Sequence, residues 1–169
     1  MATVSDDARH GEGLPALRTD RTLGYASIAM LALVVAALFR GRAHWGEPPA
    51  SIWFHLGLVL AALILTPVML VRRKGSESHR LLGYAWVALL LAIAIEGFFI
   101  PLQGRSWSPI WLISIFVLVQ SPRLVIQARR HDMIAHRRTV RGMVIGAFLV
   151  AGLFTLPFGR MLGNWLFNG

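Results

Sequence analysis

Apolar residues along the chain gather into five long blocks, residues 23–39, 52–71, 81–100, 110–128 and 142–159, separated by short polar or basic stretches. At a rise of about 1.5 Å per residue, a hydrocarbon core of about 30 Å needs roughly 20 apolar residues. Each block reaches or approaches that length, so the pattern predicts an all-α integral membrane bundle of five transmembrane helices. The first block, Leu23 to Phe39, is the shortest, and carries no charge. The second holds one ionisable group, His55, and the third one carboxylate, Glu96. Pro67 is expected to kink the far end of the second span, a feature that membrane helices tolerate better than soluble ones.

The stretches between the blocks set the domain limits. Residues 1–20 are polar and without apolar periodicity, and read as a mobile cytoplasmic tail. The basic start and apolar centre of a cleavable signal are missing from them. Residues 21–169 form the membrane domain, ending in a short amphipathic segment from Arg160. Trp45, Trp53, Trp86, Trp107, Trp111 and Trp165 lie near the expected span ends, where interfacial aromatic rings collect.

Composition removes several classes of function. Of 169 residues, 56% are hydrophobic and 15% charged, with a mean hydropathy of +0.60, whereas a soluble domain carries about 25% charged residues. No polar stretch is large enough to fold around a soluble catalytic site, and no catalytic residue is assigned. The absence of cysteine excludes disulfides, thiolate metal sites, iron–sulfur clusters and thioether-linked haem. No His-Glu-x-x-His pair, phosphate-binding glycine loop or nucleophile elbow occurs, so no metal site is expected.

The net charge of +9 is explained by orientation in the bilayer rather than by a nucleic-acid partner. With five alternating spans, thirteen of the seventeen basic residues fall on the side of the amino terminus and four, Arg40, Arg42, Arg105 and Arg160, on the other. The positive-inside bias predicts a cytoplasmic amino terminus and an outer carboxyl terminus. Arg72, Arg73, Arg80, Arg129, Arg130 and Arg137 form the expected lipid-facing basic boundary.

Two of the basic connections resemble one another. Arg72-Arg73, five residues, then His79-Arg80 returns as Arg129-Arg130, five residues, then His136-Arg137, at an offset of 57. One reading is a tandem hairpin, spans two and three repeated as spans four and five. Chance likeness between two positive-inside loops is the other. The stretch Lys74 to Tyr84, Ser108-Pro109-Ile110, Ala135-His136-Arg137-Arg138 and Ala151 to Arg160 resembles a bacterial family of predicted multi-pass membrane proteins, domain of unknown function family 2306. The resemblance implies an inner-membrane location and no established activity. The chain departs from that pattern at Trp111, where the family often has His.

Three functions remain open. The first is a membrane protein of unassigned activity, a binding or structural subunit. In the second, His79 and His136, at equal depth on the cytoplasmic boundary, ligate a b-type haem that carries electrons; the alternative role for both rings is to organise their loops. In the third, His55 and Glu96 form the proton or ion path of a small transporter. His55 lies about 5 Å inside the second span and Glu96 about 22 Å along the third from the opposite side, so both reach similar depth near the outer face. A carboxylate within a span usually points into the bundle; against this, both groups sit near enough to the interface to be wet. Neither an oligomer nor a redox partner is named by the residues.

Overall fold

A computed structural model describes residues 18–72, 74–100, 110–156 and 160–168. The described chain is helical: α1 (Arg18–Arg40) with a 3-10 turn (Gly41–His44), α2 (Ala50–Val71), α3 (Glu77–Glu96), α4 (Ile110–Arg129), α5 (Met133–Met143), a π-helical segment (Val144–Val150), α6 (Ala151–Phe154) and α7 (Met161–Asn168). Four helices among the described residues are long and apolar enough to cross a membrane: Arg18–His44, Ala50–Val71, Glu77–Glu96 and Ile110–Arg129. The fifth apolar block lies on the unbroken helical run of α5, the π segment and α6, while residues 157–159 at its end are outside the described residues.

Consecutive helices pack side by side, and the π segment closes the ring by packing on α1. Short connections force this arrangement, since neighbours joined by a few residues must run antiparallel. Leu63, Leu90, Met143 and Val144 fill the centre almost without exposure. The outer surface is also apolar: Phe54, Ile64, Leu81, Phe99 and Leu112 are all exposed. Such a large apolar exterior requires a non-aqueous surrounding.

Helix α1 starts at Arg18, five residues before the first apolar block. This places Asp20 in its first turn, where a carboxylate also complements the helix dipole. α3 starts at the Ser76 cap, whose hydroxyl accepts the His79 backbone N–H at 3.2 Å. α5 starts at Asp132, whose carboxylate accepts the Ala135 N–H at 3.0 Å. A left-handed residue precedes each cap: Gly75 at φ 90° and His131 at φ 58°.

Tryptophans divide into two groups. Trp45, Trp53 and Trp165 meet at one end of the bundle, with ring centroids 5.6 and 6.3 Å apart. Trp165 lies where a Cβ on Gly41 would stand, 2.1 Å from the ring, so glycine lets α7 lie on the end of α1. Trp86 departs from its expected interfacial place. It is buried in the bundle, and its Nε1–H donates to Thr66 Oγ1 at 2.9 Å, which gives the indole a polar partner away from water. Trp107 lies outside the described residues.

Candidate functional site

A cavity of about 440 Å³ opens between α2, α3, α4 and α5 at the end of the bundle that holds both basic connections. Its size falls within the range of about 300–1,000 Å³ typical of small-molecule and cofactor sites. Leu70, Trp86, Val87, Leu124, Val140 and Val144 supply apolar walls. His79 and His136 both line it, His79 from the first turn of α3 and His136 from that of α5. The two rings are within electrostatic reach of one another.

The hydrogen bonds fix one tautomer. His136 Nδ1 lies 3.1 Å from the Leu124 carbonyl, which can only accept, so Nδ1 carries the proton and Nε2 keeps the lone pair. Burial lowers the His136 pKa below its ordinary 6.5, and the charges of Arg137 and Lys74 act in the same direction, against the Leu124 hydrogen bond. The ring is therefore neutral at pH 7. His79 Nδ1 is buried with no hydrogen-bond partner among the described residues. The helix caps are Ser76 and Asp132, so neither imidazole performs that task.

The offset of 57 seen in the sequence reappears in the cavity lining. His79 and His136, Arg80 and Arg137, Gly83 and Val140, and Val87 and Val144 each differ by 57 and all line the same space. The positions advance by one, four and eight residues along each helix, which is one helical face. The helix caps, Ser76 and Asp132, differ by 56 instead.

Of the six arginines expected at a lipid-facing boundary, Arg80, Arg129 and Arg137 line this cavity. Arg72 and Arg130 are exposed outside it, and Arg73 lies outside the described residues. Asp20 also lines the cavity and is 2% exposed. It receives Lys74 Nζ at 3.1 Å and Arg141 Nε at 2.9 Å. This cluster ties α1 to α5 and to the connection before α3. Sequence reasoning missed it; the available signal was one acid standing immediately before an apolar block. With Asp20 already paired, Arg80, Arg129 and Arg137 have no carboxylate partner among the described residues.

His55 and Glu96 meet at the other end of α2 and α3, where His55 Nδ1 and Glu96 Oε2 form a hydrogen bond. Their side chains are 19% and 13% exposed, and Glu96 Oε1 is buried without a partner among the described residues. The two sites lie at opposite ends of α3 and share no residue. Among the described residues no group of three or more His, Cys, Asp or Glu is placed to hold a metal ion. No known family pattern, curated protein or solved structure matches the chain.

Proposed function

We infer that the chain is a five-span membrane protein in which His79 and His136 would together hold a b-type haem, a group that would let it carry electrons one at a time. The observation that carries this reading is the pair of imidazoles lining one apolar cavity from equivalent positions on α3 and α5, with His136 held as the tautomer that keeps Nε2 free to ligate. A haem between two neutral imidazoles supplies one-electron transfer.

The chain's own residues suit the remaining demands of that group. The Leu124 carbonyl orients the His136 ring and raises its basicity, as the outer hydrogen bond of a ligating histidine does. Arg80, Arg129 and Arg137 are available for two propionate carboxylates. The apolar walls, among them Leu70, Trp86, Val87 and Val144, suit the apolar face of such a ring. Four matching pairs in the lining support the tandem hairpin, and with it a fifth crossing by the apolar block at residues 142–159. In the orientation the arginines favour, this cavity opens to the cytoplasm of a bacterial cell and the carboxyl terminus lies outside.

Protein purified from cells supplied with haem precursor is expected to show a low-spin Soret band that His79→Ala and His136→Ala each convert to a high-spin one. A colourless preparation, or a band insensitive to both changes, would refute the assignment.

The half-buried His55–Glu96 hydrogen bond favours a second reading, a proton path near the outer face. A carboxylate with one paired and one unpaired oxygen is a proton acceptor beside a proton donor. Glu96→Gln in reconstituted vesicles is expected to abolish proton uptake; uptake equal to wild type would remove this reading.

A further inference from the structure

A second concavity, a groove of about 530 Å³, runs between α4 and α5 on the outside of the bundle. Arg123 comes from α4, Arg130 from the turn just after it and Arg138 from α5, and no acidic residue lines the groove. None of the three guanidiniums has an ion-pair partner among the described residues. Gln127 lines the same groove, and its Oε1 is buried with no hydrogen-bond partner among the described residues. Gly142 forms part of the wall, and a Cβ there would meet nothing within 4 Å, so the groove reaches the α5 backbone.

The surroundings say what kind of anion fits. On α4 the exposed residues Leu112, Ile115, Val119 and Ile126 follow at intervals of three, four and seven positions and form an apolar stripe beside the groove. Ile145, about one turn beyond Gly142 and two beyond Arg138, is exposed on the other side. A ligand with an anionic head among the arginines would therefore lay apolar chains along this stripe. A free phosphate would use the arginines alone and leave the stripe unoccupied.

We propose that the α4–α5 groove binds the headgroup of an anionic glycerophospholipid, with its phosphate among Arg123, Arg130 and Arg138 and a headgroup hydroxyl donating to Gln127 Oε1. Its acyl chains follow the Leu112–Val119 stripe toward the middle of the bilayer. Phosphatidylglycerol has both the charge and the hydroxyl donors; phosphatidylcholine has neither a net charge nor a donor.

Native mass spectrometry of the full chain in detergent, titrated with each lipid of identical acyl composition, tests this. One phosphatidylglycerol is expected to bind at least about tenfold more tightly than phosphatidylcholine. Each guanidinium contributes a factor of about five, so R123Q/R130Q/R138Q together weaken phosphatidylglycerol by about a hundredfold and leave phosphatidylcholine unchanged. R18Q/R21Q/R72Q removes the same charge elsewhere and is expected to leave binding within about twofold. Equal binding of both lipids, equal losses in the two triple variants, or displacement of the lipid by millimolar inorganic phosphate would overturn the proposal. Should the groove triple fail to fold, R130Q and R138Q taken singly give the same reading, each about fivefold weaker; wild-type affinity in both would overturn it.

Discussion

Replacing Asp20 by Asn removes the one negative charge between Lys74 and Arg141 while keeping the side chain's shape. At 2% exposure Asp20 is out of reach of water, whereas Lys74 and Arg141 are 14% and 27% exposed. An exposed ion pair would contribute about 0–1 kcal/mol. Breaking a buried one by removing a partner costs about 3–5 kcal/mol, because the remaining charge is left desolvated. The partial exposure of the two cations lets each recover some hydration, which places the expected loss at the lower end, about 3 kcal/mol. For a chain of this size that is a fall of roughly 6–12 °C in unfolding temperature. Thermal unfolding of the detergent-solubilised protein, followed by loss of the monodisperse gel-filtration peak, reads this shift. Asp20→Ala combined in turn with Lys74→Ala and Arg141→Ala apportions it between the two contacts. A fall of less than about 2 °C for Asp20→Asn would show that the cluster behaves like a surface pair and would refute the argument from burial.

Further outcomes are expected at other sites. A Cβ on Gly163 would stand 1.6 Å from the Leu156 carbonyl oxygen, and backbone cannot move aside cheaply; Gly163→Ala is expected to lift α7 off α1 and expose the last residues to limited proteolysis. Trp86→Phe removes the donor to Thr66 and leaves that hydroxyl without the indole's N–H, costing about 1 kcal/mol in the same thermal assay. Because His136 binds its proton less readily when folded, the folded state takes up fewer protons than the unfolded one below pH 6.5. Its contribution to stability is complete above that value and declines as pH falls through the folded pKa, by at most about 1.4 kcal/mol per pH unit. His136→Gln is expected to flatten this part of the stability profile, and an unchanged slope would contradict the lowered His136 pKa.

Sequence made the membrane-length helices visible because lipid demands continuous apolar stretches, a signal local to each segment. His55 and Glu96 could also be paired by depth alone, since rise per residue converts position into height. The Asp20 cluster was not readable in this way. Arg141 lies 121 residues from Asp20, and the positive-inside pattern gives every basic residue near a span end an adequate explanation without a protein partner. The same ambiguity hid the cavity-lining placement of Arg80, Arg129 and Arg137, which the sequence does not set apart from Arg72 outside it. Trp86 looked interfacial by position, yet Thr66 satisfies its N–H in the interior. Gly142 and Gly146 stand four residues apart in the sequence, the spacing of a helix-packing pair, but only Gly146 has a close neighbour among the described residues, Phe116, 3.1 Å from its would-be Cβ. A π turn begins between these two glycines, and the altered winding separates their faces.

The most direct measurement is titration of ferric haem into the purified full-length protein, read by optical and paramagnetic resonance spectra. The account predicts saturation at one equivalent with the low-spin signature of two imidazole ligands, turning high-spin in either His79→Ala or His136→Ala. Haem that binds without saturation, or a low-spin spectrum that survives both substitutions, would contradict it.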